Sequence, residues 1–203
     1  MIVEAMTLLL TGLNQHIHAQ DGNPIGTADV AIPGSPAQTA DPDAGPALEN
    51  QVLLTVLNIE EEAALKNGQT AFREGVSVAV RHRAVHLNLF LVFSANFANY
   101  ATALSRLGQV VTYFQSHKRF EPSSFPGLLA GLPADAELTL TVELVTLNLE
   151  ELNHIWGALG GRALPFAAYR ARLVVIREDS AAGEAGTVRN IRAGLRDTLV
   201  ERV

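Results

Sequence analysis

Three carboxylates in a row, Glu60-Glu61-Glu62, follow the apolar run that ends at Leu57, with Lys66 in the same stretch. Such a cluster can serve as a general acid–base pair, as oxygen ligands for a cation, or as a charged face presented to a partner. Acid–base work needs two carboxylates in different surroundings, so that one keeps its proton while the other has lost it. Consecutive residues in a segment with Lys, Asn and Gly gain no such difference, and no His or Asp stands near them in the sequence. Glu60, Glu61 and Glu62 therefore read as a hairpin tip or as an acidic patch facing a partner, with Lys66 beside it.

The histidines are the other candidates. His82 and His86 share one face of a strand but lie ~13 Å apart along it. Two ligands of one zinc ion must each come within roughly 2 Å of it, so this pair cannot share a metal on a straight strand. His16 and His18, two apart on a helix, point in nearly opposite directions. No Gly-x-Ser-x-Gly elbow, phosphate-cradling Gly-x-x-x-x-Gly-Lys loop or dinucleotide Gly-x-Gly-x-x-Gly turn occurs. The basic run Arg81-His82-Arg83 lacks interleaved aromatic residues and reads as an exposed strand end. Catalytic residues, a metal and a cofactor are not expected.

The elements that must position these residues follow from periodicity. Ile2, Met6, Leu9, Leu10, Leu13 and Ile17 predict an amphipathic helix over residues 2–19. Asp21 to Pro46 holds five of the nine prolines and four glycines, which predicts loop with a short strand at Ala28–Ile32. Val52–Leu57 predicts a strand buried on both faces. Val76–Val80 is expected as its hairpin partner, with Glu60 to Gly75 as the connection. His86–Phe93 is the strongest strand signal. Asn99 caps a helix over Tyr100–His117, whose apolar stripe is Ala103, Leu104, Leu107, Val110, Val111 and Phe114. A Pro/Gly-punctuated loop follows from Phe120 to Pro133. Leu138–Leu144 alternates with period two. Asn148 followed by Glu150 and Glu151 starts a helix that ends near Gly160-Gly161, and Tyr169–Ile176 is the last strand. Helices and strands alternate without a repeating βαβ unit. The expected fold is α+β, a mainly antiparallel sheet with packed helices.

Composition limits what this fold does. The 203 residues are 48% apolar and only 18% charged, which suits a subunit that buries surface against partners. Residues 1–71 carry nine acidic side chains and one basic, a net −8, while the remainder nets +2. That balance argues against nucleic-acid binding, which needs a concentrated basic face. With no cysteine, disulfides, thiolate metal sites and cysteine nucleophiles are excluded. The start MIVEAMTLLL has no basic region of a signal peptide, and no apolar run approaches the ~20 residues that span a bilayer. The expectation is cytoplasmic assembly without membrane insertion.

After Ile176, residues 177–186 have the composition of a flexible linker. Beyond it Val188, Ile191, Leu195 and Leu199 form one stripe of a short helix, with Arg189, Arg192 and Arg196 on a neighbouring face. The expected division is one domain over residues 1–178 and a linker with a short tail over 179–203. The tail either folds back on its own domain or reaches a neighbour, where its arginines meet acidic residues. Trp156 on a helix and Tyr169 on the final strand are candidate interface anchors, since large aromatics dominate binding energetics. Both also suit a core, Trp156 slightly more so.

Three blocks in order, VLLTVLNIEEEAALKN, VHLNLFLVFSANFANYATALSRLGQVVTYFQ and LTLTVELVTLNLEELNHIWGALGGRALPFAAYRARLVVI, resemble the cap, or tail-terminator, proteins of phage-tail-like contractile injection systems. The resemblance spans about residues 1–178 and contains no catalytic motif. It implies a tail-terminator α+β fold assembled as a homo-hexameric ring. The implied partners are the sheath and inner-tube proteins, at the end distal to the baseplate, where the ring stops polymerisation. The resemblance leaves open whether the particle is later released or retained. The chain's short extension after the last strand sets it apart from longer relatives. A small ligand-binding α+β module is the alternative.

Overall fold

The computed structural model describes residues 2–23, 28–43, 45–63, 71–74, 77–81, 85–124, 138–160, 163–176 and 181–186. The chain forms two compact units. One holds Met1–Lys66 and Val85–Ile176, the other Asn67–Ala84 and Arg177–Val203.

The first unit opens with helix α1, Ile2–Asp21, which buries Ala5, Leu8, Leu9, Leu13 and Ile17 along one stripe. Gly22, with φ of 69°, takes the left-handed turn that stops it. Strands β1 (Ala31–Pro33), β2 (Gln51–Glu61), β5 (Val85–Asn96), β6 (Arg119–Phe120), β7 (Leu138–Val145) and β8 (Phe166–Ile176) form one sheet in the order β1-β2-β5-β8-β7-β6. The sheet is mixed, because β1 runs parallel to β2 while the other pairs are antiparallel. Helix α2, Tyr100–Ser116, is capped by Asn99, whose side chain accepts from the Thr102 N–H at 3.1 Å. Helix α3, Leu149–Ala158, starts in a reciprocal capping box between Asn148 and Glu151.

The core lies between the two long helices and one sheet face. Leu8, Leu9 and Leu13 of α1 and Val110 and Phe114 of α2 cluster with Leu54, Leu91, Phe93, Leu140 and Tyr169. The expected stripe on α2 needs correction: Leu104 and Val111 are 48% and 39% exposed, and Tyr113 is buried instead. A six-residue stripe is wider than the face one sheet can cover, so its margins stay outside.

The second unit holds strands β3 (Ala71–Glu74), β4 (Ser77–Arg81) and β9 (Ala181–Gly186) in one antiparallel sheet, with β4 in the middle. Two expectations are thereby corrected. The partner of β2 is β5, not Val76–Val80: β5 has twelve residues to match the eleven of β2, whereas β4 has five. The segment expected as a linker supplies β9. Its Ala/Gly-rich sequence has little strand propensity of its own, and pairing with β4 imposes the conformation. The unit boundaries accordingly differ from the division at residue 178.

Candidate interaction surface

Along β2 the apolar run gives way to charge without the strand ending. A bulge between Val56 and Asn58 shifts the register, and the strand then continues with Glu60 opposite Asn88 and Glu61 opposite Leu87. The Glu62 N–H still donates to the His86 carbonyl at 2.8 Å. The glutamates are thus the charged end of a sheet strand, and the hairpin-tip reading is corrected. A strand running past the helices that cover its face has no core to fill, so charged side chains cost nothing there. Glu60 and Glu61 are exposed and Glu62 is half-buried. Asn88 Nδ2 donates to Glu62 Oε2 at 2.8 Å, and Asn58 Nδ2 donates to Glu60 Oε1 at 3.3 Å.

The sheet face away from α1 and α2 changes character along its length. Leu53, Val92, Ser94 and Ala168 are buried at one end. The ring of Trp156 lies nearly edge-on to Phe166 at 5.2 Å, and Leu48 approaches Leu53 around Gly34. Further along, one lateral row runs Asn58, Phe90, Arg170, Glu143 across four strands. The Arg170 guanidinium sits 4.4 Å above the Phe90 ring, and Arg172 pairs with Glu143 at 3.3 Å. The Nε atoms of both arginines have no hydrogen-bond partner among the described residues. Both Nε atoms are buried, and the guanidinium of Arg170 is held on the ring face by a cation–π contact.

Other ionisable groups answer to structure. Burial raises the Tyr113 and Tyr169 hydroxyls to about 12. Burial also lowers the His16 imidazole, helped by the charge of His117, and both rings flank Tyr113 at 5.3 and 4.8 Å. No group of three or more His, Cys, Asp or Glu that could hold a metal ion occurs among the described residues. His86 is half-buried on β5, and His82 lies outside the described residues. A cleft between α2 and β7, lined by Val111, Phe114, Lys118, Val142, Leu144 and Tyr169, encloses about 170 Å³. Small-molecule sites run to ~300–1,000 Å³. The ligand-binding alternative gains no support from it.

A family model described as the Pvc16 N-terminal domain matches residues 4–190. The chain belongs to this family. It is the cap family of contractile injection systems that the sequence blocks resemble. The fold is similar to that of the PVC sheath/tube terminator, in the extended state, of an extracellular contractile injection system: identity is 12% and the TM-score 0.52, over 95% of this chain and 65% of that one. It is also similar to the tube-terminating cap of the anti-feeding prophage, with 14% identity and a TM-score of 0.55, over 91% of this chain and 59% of that one. This chain thus spans less than two thirds of either. No curated protein matches it.

For a Pvc16-type domain, the residues singled out from sequence fall in three places. Glu60, Glu61 and Glu62 lie together at one end of β2. Trp156 and Tyr169 are corrected as surface anchors: they are 9% and 2% exposed, and Tyr169 packs against Phe93 and Phe114 at 5.6 and 5.0 Å. A ring enclosed in its own core has no face left for a partner. Lys66, Arg189, Arg192 and Arg196, with the helix expected around the arginines, lie outside the described residues. The Phe90–Arg170 pair escaped the sequence reading. Its signal was faint, one Arg inside a strand otherwise apolar at Tyr169 and Ala171, and only the β5–β8 register brings Phe90 to it. No helix of the described residues is long and apolar enough to cross a membrane.

Proposed function

We propose that this protein is the cap of a contractile injection particle. Six copies form a ring at the end of the inner tube and sheath distal to the baseplate, and the ring ends their polymerisation without catalysis. The observation that carries this reading is the Pvc16 N-terminal domain match, which takes in nearly the whole chain. The likeness in fold to a sheath/tube terminator and to a tube-terminating cap supports it. A ring made head to tail needs two different, complementary surfaces on each subunit, and the split between an acidic first third and a weakly basic remainder supplies opposite charge.

Deletion of the gene in the producing strain tests it. Electron micrographs should then show tubes and sheaths of irregular length, or sheaths that contract prematurely, and complementation should restore uniform particles. Particles of normal, controlled length in the deletion strain would overturn the reading.

A further inference from the structure

Among the described residues, two exposed large apolar side chains stand on the first unit's sheet, Ile59 on β2 and Leu144 on β7. They lie toward opposite sides of it. Both face the helices, since Ile59 is opposite Leu89 and Leu144 opposite Tyr169, and Leu89 and Tyr169 belong to the core. Single exposed apolar residues are ordinary, but one set in a hollow or projecting beside charge is worth explaining.

Leu144 borders a hollow. With Val111, itself 39% exposed, it rims the cleft between α2 and β7, over the buried Phe114, Val142 and Tyr169. The Val142 N–H donates to the Lys118 carbonyl at 2.8 Å, which ties the chain just past α2 to β7 and fixes that end of the cleft. The volume is about 170 Å³. A cavity of ~150 Å³ takes up benzene, six carbons against the four of an isoleucine side chain. Ile59 is the matching projection, 46% exposed near the end of β2. Its lateral row runs Ile59, Leu89, Ala171, Val142, from the projection on one side of the sheet to the floor of the cleft on the other. In a ring whose copies meet side to side across their strands, Ile59 of one copy is level with the cleft of the next and on the same helix-bearing face. Charges are opposite as well. Glu60, next to Ile59, is exposed, and Lys118 at the cleft is exposed with no ion pair among the described residues.

We propose that Ile59 of one copy docks in the α2–β7 cleft of the next, with Glu60 beside Lys118. The proposal rests on the ring reading and names the contact that joins its subunits. A second copy is the occupant because the chain supplies both halves, projection and hollow, in one lateral row and with opposite charge. Docking covers Ile59, Val111 and Leu144 together, three of the apolar side chains that the single chain leaves exposed. Projection and hollow are different surfaces of the subunit, so the contact is heterologous, the type that closes into rings.

Ile59→Asp and Val111→Asp each place a charge in the contact. Both positions are exposed in the single chain, so the full-length variants should unfold at the wild-type temperature. Analytical ultracentrifugation, alone and with tube and sheath proteins added, should show rings for wild type and association weakened about tenfold or more for either variant. Mixing the two variants one to one separates a head-to-tail contact from any other. Ile59→Asp keeps the cleft and Val111→Asp keeps the projection, so the mixture should give dimers that grow no further. A second pair changes apolar volume alone and serves even where a charged variant fails to fold. Val111→Phe fills the cleft and should block rings, and adding Ile59→Ala, which shortens the projection, should restore them. Variants that assemble as well as wild type, or a mixture that stays monomeric, overturn the contact and leave the ring standing. Variants that form rings but no longer join tube or sheath give the two residues to another partner and overturn it as well. A wild-type chain that stays monomeric under both conditions overturns the ring and this contact together.

Discussion

On a helix otherwise lined with leucines, Asn14 is 4% exposed and directs its whole amide at one edge strand. Its Oδ1 accepts from the N–H groups of Val30 and Ala31 at 3.0 and 2.8 Å, and its Nδ2 donates to the Ala31 carbonyl at 2.8 Å. Asn14→Leu keeps the helix but takes the side-chain partner from three backbone groups, the two of Ala31 buried and that of Val30 half-buried. The expected loss is roughly 1–3 kcal/mol in chemical denaturation, with amide exchange accelerating first at residues 30–33. Equal exchange there in the variant would show that β1 is held by β2 alone. Nothing in the sequence marks Asn14, because a polar residue between Leu13 and Ile17 looks like the helix's wet margin. Trp156 and Tyr169 show the converse. Their size announces importance, but whether a large ring is core or interface depends on what covers it, here Phe166 for one and Phe93 with Phe114 for the other. Glu60, Glu61 and Glu62 were readable as a partner-facing patch candidate, yet not as strand, since charge hides a strand that outruns its core.

The last turn of α1 is tied to α2 by Asp21, which accepts from Arg106 at 2.5 Å and from Gln109 at 3.1 Å. Burial alone would raise the Asp21 carboxyl, but these donors and the charge of Arg106 hold it below the ordinary aspartate range. A lowered folded pKa means that the folded state binds fewer protons than the unfolded one in acid. The tie therefore stabilises fully above the ordinary value of about 3.9, and its contribution is lost as pH falls through the lowered folded value. Asp21→Asn should cost about 0.5–1 kcal/mol at pH 7, and the gap from wild type should close in urea titrations below pH 3. A gap that stays constant with pH would mean that the charge contributes nothing. Elements with local signals were legible: the caps at Asn99 and Asn148 and the stripe of α1 placed all three helices within about two residues. Elements made by distant pairing were not. β1 acquires its parallel partner through a connection with three prolines, and β9 pairs with residues about a hundred positions earlier.

At the scale of the whole chain, the division into two units makes them separable by truncation. The second unit's sheet has β4 between β3 and β9, and β9 is the last described element. A two-stranded hairpin is marginally stable by itself in water, whereas a third strand makes a small sheet viable. A chain stopped after Asp179 loses β9 and leaves β3 and β4 as such a hairpin. The first unit keeps every strand of its six-stranded sheet, because β8 ends at Ile176. Amide exchange should therefore become fast over residues 71–81 in the truncated chain, while residues 85–96 and 166–172 keep their protection and the helical circular dichroism signal persists. Persistent protection over 71–81 would show that β3 and β4 draw their stability from somewhere other than β9.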